Sequence, residues 1–258
     1  MFRSPGPIAF HVGPLSIRWY GLLMATAMAL GLWLAYREAK RRGADPESLL
    51  KTAEWALLGG LVGARLYYVA FNWAYYSQFP RKIVAVWEGG LAIHGGLLGG
   101  LLVGGIYAWS KRLPLARYLD VVAPSLALGQ GIGRWGNFFN QEAFGTPTDL
   151  PWKLYISPPH RPLEYAQVEY FHPTFLYESL WDLVVFGLVA FVLRDRLARA
   201  PGSLFLAYVG LYSIGRLLVE ALRTDSLMFG SIRIAQLVSG LAIAAAVVGI
   251  PVLLKRSR

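Results

Sequence analysis

The chain has 258 residues, of which 55% are hydrophobic and only 16% are charged, and its mean hydropathy is +0.44. Soluble domains usually carry about 25% charged residues, so this composition indicates an integral membrane protein. The net charge of +10 is then explained first by anionic lipid and membrane topology, and we expect no nucleic-acid partner. The absence of cysteine excludes a disulfide framework, a thiolate nucleophile of the chain's own and a Cys-ligated metal. The four histidines lack an H-x-x-x-H spacing, so we expect neither a metal nor a cofactor.

Seven stretches of the chain are candidate membrane spans. A spanning helix needs about 20 mostly apolar residues. Helices are expected because backbone polar groups in lipid must be satisfied within the segment. The sequence therefore predicts an all-α polytopic membrane protein with seven transmembrane helices, formed by a single membrane domain over residues 1–258. In chain order the predicted spans are residues 19–36, 52–71, 91–109, 119–139, 174–193, 203–222 and 234–254.

The basic residues predict the orientation of these spans. The connections after the first, third and fifth spans and the C-terminal segment carry fourteen Lys and Arg residues, against eight on the other side. The positive-inside rule places the richer side in the cytoplasm. The N-terminus is then outside and the C-terminus inside, which agrees with an odd number of spans.

Two outer connections are longer than a simple turn requires. Residues 72–90 are rich in tryptophan, tyrosine and phenylalanine, which is typical of a segment lying in the membrane interface. Residues 146–172 contain five prolines and short runs such as WKLYI. We predict an interfacial arm for the first connection and a small periplasmic cap, inserted between spans four and five, for the second.

The glycines Gly131, Gly133 and Gly136 match the G-x-G-x-x-G pattern of dinucleotide-binding loops. That motif requires a strand before it, a helix after it and an acidic residue about 20 positions further on. A long apolar stretch precedes these glycines, and the KLYISPP region that follows at the required distance has no acid. We therefore interpret the glycines as thinning a helix so that a neighbouring backbone or lipid can approach closely.

A set of polar and charged residues falls at or near membrane depth. Charged groups at the centre of a bilayer cost at least about 2.5–3.5 kcal/mol each, so each one is a functional hypothesis by default. By the predicted topology most of these residues gather in the outer half of the membrane, beneath the predicted cap. The set comprises Arg65, His94, Arg134, Asn137, Asn140, Glu142, Glu178, Arg216 and Glu220.

The pair Arg216 and Glu220 has i, i+4 spacing and so shares one helix face. Arginine binds phosphate well because its planar fork contacts two oxygens at once. Two arginines at membrane depth with carboxylates to orient them therefore predict a clamp for a phosphate or a phospholipid headgroup. The alternative is a structural network of hydrogen bonds that holds helices together. Arg65 remains open between a third anion contact and a structural pair for Glu54 or Glu178.

Two further side chains have both a chemical and a structural interpretation. His94 stands in the glycine-rich stretch HGGLLGGLLVGG, where it is either a general base near neutral pH or an interfacial histidine without chemistry. The repeated G-x-x-x-G spacing around it is typical of close helix packing. Tyr20 is either a ligand contact or a tyrosine of the interfacial aromatic belt.

Five motifs, in this order and spacing, extend over nearly the whole chain. They are RWYG at residues 18–21, HGGLLG at 94–99, GRWGNFFNQEAFG at 133–145, HPTFLYE at 172–178 and the arginine–glutamate pair of YSIGRLLVEALR at 212–223. Together they resemble the bacterial prolipoprotein diacylglyceryl transferase family, with no departure at a motif position. The family's seven spans and outside N-terminus also agree with the topology predicted above.

The resemblance implies a reaction in the bacterial cytoplasmic (inner) membrane. A diacylglyceryl group moves from phosphatidylglycerol to the thiol of the lipobox cysteine in a prolipoprotein signal peptide, and glycerol phosphate leaves. Because the thiol belongs to the substrate, the enzyme needs no cysteine.

The resemblance also implies roles for the motif residues. Arg134 and Arg216 stabilise the leaving phosphate, with Glu142 and Glu220 to orient them. His94 is the candidate base, although an arginine-assisted thiolate without a dedicated base is equally compatible. The remaining predicted substrate-binding residues are Tyr20, Arg65, Asn137, Asn140 and Gly145.

Three other classes of membrane protein are alternatives to this family. A rhomboid-type protease needs a serine in G-x-S-x-G, which the chain lacks. A membrane acyltransferase with H-x-x-x-x-D needs an acid at position 99, where the chain has Gly99. An anion transporter remains the non-enzyme alternative because buried arginines and glutamates are common on substrate paths. The repeated halves that are frequent in transporters are absent from the sequence.

Overall fold

The structure is a computed structural model that describes residues 1–230 and 232–257, apart from the side chain of Glu88. Arg258, one of the basic residues counted above, lies outside this description. The chain is mainly helical. The α-helices of the described part are α1 (Trp19–Arg41), α2 (Pro46–Phe71), α3 (Trp73–Tyr76), α4 (Ile93–Ser110), α5 (Leu115–Asn140), α6 (Thr174–Gly187), α7 (Arg194–Arg196), α8 (Ser203–Glu220) and α9 (Ile234–Arg256).

Short strands and 3-10 turns lie between these helices. The strands are β1 (Phe2–Arg3), β2 (Ile8–Val12), β3 (Leu15–Arg18), β4 (Leu154–Tyr155), β5 (Tyr170–Phe171), β6 (Met228–Phe229) and β7 (Ile232–Arg233), and the 3-10 turns are Pro80–Val84, Val86–Glu88, Pro158–His160 and Leu163–Tyr165. The chain divides into two compact units, and each is described by itself. The first unit is Met1–Ala35 with Leu119–Arg258, and the second is Tyr36–Tyr118.

Five helical segments of the described chain are long and apolar enough to cross a membrane. They coincide with the first, third, fifth, sixth and seventh predicted spans, and they support a polytopic membrane protein. The other two predicted spans fall on α2 and α5, which have 26 residues each and are therefore about 39 Å long. These two helices are not among the segments of the described chain that are long and apolar enough to cross a membrane. The count of seven spans stays a prediction.

The second unit is held together by close packing of α2 against α4. A Cβ atom placed on Gly95 would overlap the carbonyl oxygen of Gly63, and one placed on Gly99 would overlap that of Gly59. The two helix backbones therefore touch along a stripe of small residues, as G-x-x-x-G packing requires. This arrangement confirms the predicted packing role of the glycines in this region.

In the first unit, α5, α6 and α8 surround an apolar core. Val185, Val189 and Leu204 are almost completely buried there, together with Ala123 and Ala127 of α5. The helix that begins with α6 continues through a π-helical segment, Leu188–Leu193, into α7. The start of α8 is capped from α5, because the Asp120 carboxylate accepts hydrogen bonds from the backbone N–H groups of Gly202 and Phe205, each at 2.8 Å.

The segment 146–172 forms a small sheet with the beginning of the chain. β4 pairs in parallel with β1 and antiparallel with β5, so that Leu154 lies between Phe2 and Phe171. Phe138, Phe144, Leu154, Ile156, Phe171 and Phe175 form the apolar cluster beneath it. The sequence did not predict that the first residues of the chain complete this sheet. Two hairpins, β2–β3 and β6–β7, precede α1 and α9 respectively.

Candidate functional site

Glu178 is the centre of a charged cluster in the first unit. It lies in the second turn of α6 and is only 5% exposed. Its Oε2 atom is 2.5 Å from Nη2 of Arg134 on α5, and its Oε1 atom is 3.1 Å from Nη1 of Arg216 on α8. Nη1 of Arg223, just beyond α8, lies 3.4 Å from the same Oε1 atom. One buried carboxylate therefore holds three guanidinium groups from different parts of the chain.

Two further carboxylates complete the charge balance of this cluster. Nη2 of Arg216 lies 2.6 Å from Oε2 of Glu220, which confirms the predicted i, i+4 pair. The Oε2 atoms of Glu178 and Glu220 lie off the axes of the arginine N–H bonds, so these two contacts are ion pairs rather than aligned hydrogen bonds. The backbone carbonyl of Glu220 accepts a hydrogen bond from Arg233. Three arginines thus share Glu178, Glu220 and Asp225.

Arg223 is held by Asp225 through one edge of its guanidinium group, because Nε donates to Oδ1 at 2.9 Å and Nη2 donates to Oδ2 at 2.8 Å. Burial acts to raise the pKa of Asp225, but the hydrogen bonds from Arg223 outweigh it and hold the pKa below its usual 3.8. Asp225 is therefore a carboxylate at neutral pH. Burial acts in the opposite sense on Arg223, yet its pKa is raised because Asp225 stabilises the charged form.

The guanidinium groups of Arg134 and Arg216 are more open to the surroundings than the carboxylates of Glu178 and Glu220, whereas the third carboxylate, Asp225, is exposed. The side chains of Arg134 and Arg216 are 20% and 19% exposed, against 5% for Glu178. Within the described chain, Nε and Nη1 of Arg134 have no hydrogen-bond partner, since its contacts use Nη2 toward Glu178 and toward the Tyr212 hydroxyl at 3.4 Å. A cavity of about 430 Å³ opens beside Arg216 between α8 and α9. An anion could therefore reach the arginines while the glutamates stay beneath them.

The segment after α5 carries a second polar group. Oε1 of Glu142 accepts hydrogen bonds from Nδ2 of Asn137 at 2.9 Å and from Nδ2 of Asn140 at 3.3 Å. The carboxylate beside Arg134 is Glu178, whereas Glu142 was expected to orient that arginine. Glu142 instead fixes the two asparagine side chains.

Gly145 is the point at which three chain segments meet. Its N–H donates to the His172 carbonyl at 3.0 Å, and the next residue, Thr146, donates to the Leu222 carbonyl at 2.7 Å. A Cβ atom on Gly145 would lie 2.8 Å from Cβ of His172 and 3.0 Å from Cγ2 of Thr174. Glycine is needed here for close approach, and the left-handed backbone positions of this turn are Gln141 and Ala143 instead.

These motifs also occur together in known proteins. A family model described as prolipoprotein diacylglyceryl transferase matches residues 7–252. The chain belongs to the prolipoprotein diacylglyceryl transferase family.

Three relatives of this family, each called phosphatidylglycerol–prolipoprotein diacylglyceryl transferase, are similar over nearly the whole chain. The protein of Synechococcus elongatus is 55% identical over 96% of this chain and 88% of its own length. The protein of Trichormus variabilis is 52% identical over 100% of this chain and 93% of its own length. The protein of Gloeobacter violaceus is 47% identical over 99% of this chain and 96% of its own length.

The glycines of the G-x-G-x-x-G pattern lie inside α5, and not in a loop that follows a strand. A Cβ atom on Gly136 would overlap the ring of Tyr20, and one on Gly131 would lie 3.3 Å from the side chain of Leu183. The glycines therefore admit neighbouring side chains to α5, whereas the sequence predicted the approach of a backbone or of lipid. Tyr20 is brought directly against the motif helix.

Two of the predicted site residues, His94 and Arg65, lie in the second unit, Tyr36–Tyr118. His94 is exposed near the start of α4, and its ring centroid lies 6.1 Å from that of Tyr67. Arg65 is 6% exposed and donates to the backbone carbonyls of Lys82, Ile83, Ala85, Gly89 and Gly90 at 2.5–3.4 Å. These five contacts use all five N–H donors of the guanidinium group. Binding an anion would therefore require Arg65 to release part of this connection.

The predicted site lacks three members of the arginine cluster, which are Glu178, Arg223 and Asp225. The sequence places Glu178 at membrane depth without indicating that it is the centre of the cluster, and it assigns Arg223 to an outer connection. A further buried acid was also missed. Asp182 lies one helical turn from Glu178, is 2% exposed, and its Oδ2 atom has no hydrogen-bond partner within the described chain. An acidic residue inside an apolar span was the signal that could have identified Asp182.

Proposed function

We propose that this chain transfers the diacylglyceryl group of phosphatidylglycerol to the lipobox cysteine thiol of prolipoproteins. The reaction forms a thioether, releases glycerol phosphate and is the first step of lipoprotein maturation. Family membership over nearly the whole chain supports the reaction class. The observation that carries the proposal is the cluster of partly exposed arginines above buried carboxylates, in a chain rich in apolar helices.

The arginines suit the charge that develops in this reaction. The cysteine sulfur attacks the glycerol carbon that is bonded to the phosphate oxygen, so that an S–C bond forms and a C–O bond breaks. The bonding electrons pass to the phosphate, which changes from a diester to a monoester, while the thiol proton leaves. Arg134 and Arg216 bind the phosphate oxygens and stabilise the additional charge, an oxyanion-type role. Glu220 orients Arg216, and Glu178 orients both arginines.

His94 is the proposed base that removes the thiol proton. A free thiol has a pKa of about 8.5 and needs assistance to become a thiolate near neutral pH. Replacing a general base typically lowers the rate about 10²–10⁴-fold, so His94→Gln is expected to lose turnover by that factor. A loss of less than about threefold would instead favour the thiolate assisted only by arginine.

The remaining motif residues are proposed to bind the substrate. Tyr20, Asn137 and Asn140 contact headgroup oxygens, with Glu142 holding the two amides in place. Gly145 keeps the adjoining turn close to the residues that follow α8. Arg65, for which the sequence leaves an anion contact and a structural pair open, fixes the connection before α4 through its five backbone contacts.

We further propose that the chain crosses the bacterial cytoplasmic membrane seven times, with α2 and α5 as the two additional spans. The N-terminus lies outside and the C-terminus in the cytoplasm, as the distribution of basic residues predicts. Residues 146–172 form a periplasmic cap, and residues 72–90 lie in the membrane interface. Phosphatidylglycerol then reaches the arginines from the outer leaflet.

The test is mass spectrometry of a lipobox peptide incubated with the purified protein and phosphatidylglycerol. We expect a mass gain equal to one diacylglyceryl group, together with release of glycerol phosphate. The same peptide with Cys→Ser is the control and should gain no mass. Absence of a gain from a protein shown to be folded would refute the proposal, and uptake of phosphorylated anions would then be the next measurement.

A further inference from the structure

The cavity of about 430 Å³ between α8 and α9 is lined by two serines as well as by charged residues. Arg216, Glu220 and the charged residues that follow α8 line one part of it, and the proposed reaction uses them. Ser213 of α8 and Ser239 of α9 line the same cavity, and the proposed reaction leaves both without a role. The two serines are therefore candidates for a further contact with the molecule that occupies this cavity.

Both serine hydroxyl groups lack a partner in the protein. Ser213 and Ser239 are 5% and 4% exposed, yet neither side chain makes a hydrogen bond to another described residue. A hydroxyl on a helix can instead donate to the backbone carbonyl one turn earlier, as Thr26 does to Leu22 at 2.8 Å. The Ser213 and Ser239 hydroxyls also remain open to the cavity, whereas that of Ser125 is fully enclosed. Burying a hydroxyl without a hydrogen bond costs free energy, so each serine is suited to a ligand atom that accepts one.

Ser213 lies on the membrane-interior side of the phosphate site. It precedes Arg216 by three residues, so its Cα atom is about 4.5 Å nearer the middle of α8, which is long and apolar enough to cross a membrane. The Arg216 guanidinium points the other way, toward the C-terminal end of the helix, because its Nη2 atom pairs with Glu220 at 2.6 Å. A phosphate bound to this guanidinium therefore has the Ser213 hydroxyl on its interior side.

Ser239 approaches the same place from α9. The β6–β7 hairpin reverses the chain between the two helices, so α9 runs back along α8. Gly210 and Ala246 are at the same level, since a Cβ atom on Gly210 would lie 2.7 Å from Cβ of Ala246. Moving six residues toward the hairpin along both helices leads to Arg216 on α8 and to Gly240, the neighbour of Ser239, on α9. Ser239 is therefore level with the backbone of Arg216 and also lies on the interior side of its guanidinium.

This arrangement matches the order of groups in a phospholipid. The ester carbonyl groups lie a few bonds from the phosphate on its acyl side, whereas the polar headgroup lies on the opposite side, toward water. With the phosphate on Arg216, the ester carbonyls are at the level of Ser213 and Ser239, and the glycerol headgroup points toward the hairpin. A carbonyl oxygen accepts hydrogen bonds and a serine hydroxyl donates one, so the two groups are complementary.

We propose that the hydroxyl groups of Ser213 and Ser239 donate hydrogen bonds to the ester carbonyl groups of the diacylglyceryl part of phosphatidylglycerol. The two serines are positioning residues, because the carbon that the thiol attacks lies between the phosphate and these esters. Holding the lipid on both sides of that carbon fixes its orientation toward the thiol. This inference rests on the proposed function, since it takes Arg216 as the phosphate site.

A lipid without ester carbonyls provides the test. The dialkyl ether analogue of phosphatidylglycerol has the same phosphate, headgroup and reacting carbon but no carbonyl oxygen. The measurement is kcat/KM for the diester and the diether lipid in the same detergent, with a lipobox peptide as acceptor. It is made on the unmodified protein, on the double variant Ser213→Ala with Ser239→Ala, and on Ser125→Ala. Ser125 is 8% exposed, has no hydrogen-bond partner within the described chain and does not line the cavity, so its replacement is the matched control.

We expect the ratio of diester to diether kcat/KM to fall about tenfold in the double variant. Each hydrogen bond contributes about a two- to tenfold preference, and the double variant loses two. Ser125→Ala should leave the ratio within about twofold of the unmodified protein. Thermal unfolding shows that each variant is folded, which is expected because no hydrogen bond within the chain is removed. A ratio that changes no more in the double variant than in Ser125→Ala would overturn the proposal.

A second measurement does not depend on turnover. Phosphatidylglycerol labelled with carbon-13 at its ester carbonyls is bound to the purified protein, and the carbonyl stretch is recorded by infrared spectroscopy. A hydrogen-bonded carbonyl absorbs at a lower frequency than a free one. The lower-frequency band should weaken in the double variant and persist in Ser125→Ala, and an identical band in all three proteins would overturn the proposal. If the band depends on the serines but the folded, unmodified protein transfers neither lipid, the carbonyl contacts are supported and the proposed function is refuted.

Discussion

The replacement Glu178→Gln is expected to destabilise the first unit substantially. Glu178 holds Arg134, Arg216 and Arg223 at 2.5, 3.1 and 3.4 Å. After the change, Arg216 still has its ion pair with Glu220 at 2.6 Å, and Arg223 still has its ion pair with Asp225 at 2.8 Å. Arg134, however, loses the only carboxylate within ion-pair distance among the described residues.

Breaking a buried ion pair by removing one partner costs about 3–5 kcal/mol. Because one arginine of the three loses its only counterion, and that side chain is 20% exposed, we expect the lower end of this range, about 3 kcal/mol. For a chain of this size, a loss of about 3 kcal/mol lowers Tm by about 6–12 °C. The assay is thermal unfolding of the purified protein in detergent.

Asp182→Asn is the matched control for this prediction. Asp182 lies on the same helix, is buried at 2% exposure against 5% for Glu178, and has no ion pair within the described chain. Replacing it should therefore change the free energy of unfolding by less than about 1 kcal/mol or stabilise the protein, because an unpaired buried carboxylate is costly. A loss in Asp182→Asn that equals or exceeds the loss in Glu178→Gln would refute the assignment of Glu178 as the centre of the cluster.

Three further predictions concern the same unit. Arg134→Ala should lower kcat by at least about 10²–10³-fold. The variant should still fold, because Glu178 keeps its contacts with two other arginines. A failure to fold, seen in purification and in thermal unfolding, would favour a purely structural cluster. Gly145→Val should cost about 1–3 kcal/mol in chemical denaturation, because a Cβ atom there meets His172 at 2.8 Å; an unchanged midpoint would contradict this. Burial lowers the pKa of His172 below its usual 6.5, so the unfolded chain binds a proton at a higher pH than the folded chain. Stability should therefore fall as the pH drops below about 6.5, and this loss should be smaller in His172→Gln when Tm is compared at about pH 7.5 and about pH 5.

The positions of five apolar helices were predictable because the signal of an apolar segment is local. Apolar length identified helices that begin at Trp19, Thr174, Ser203 and Ile234, the same residues at which α1, α6, α8 and α9 begin. The pairing of Arg216 with Glu220 was also predictable, since it depends only on helical spacing. The bounds of α2 were less accurate, because Asp45 and Pro46 start this helix six residues before the apolar stretch.

The centre of the arginine cluster was not predictable because it depends on contacts between distant parts of the chain. Glu178 is 44 residues from Arg134 and 38 from Arg216, and no periodicity relates such positions. Arg223 was assigned to a loop because sequence gives no indication that the chain turns back toward Glu178. The pairing of β1 with β4 joins residues about 150 positions apart and was missed for the same reason.

The arrangement of charges answers the difficulty of keeping several arginines in an apolar bundle and still leaving them able to bind an anion. If Glu178 and Glu220 were exposed, they would repel an incoming phosphate, and if they were absent, the unpaired arginines would destabilise the fold. Placing Glu178 and Glu220 beneath Arg134 and Arg216 avoids both effects, because the pairs are formed on the buried side of each guanidinium. The unused donors of Arg134 then remain for a ligand. A monoester phosphate, with more charge than the diester it replaces, gains most from those donors, so the same geometry that permits lipid binding favours the proposed transfer.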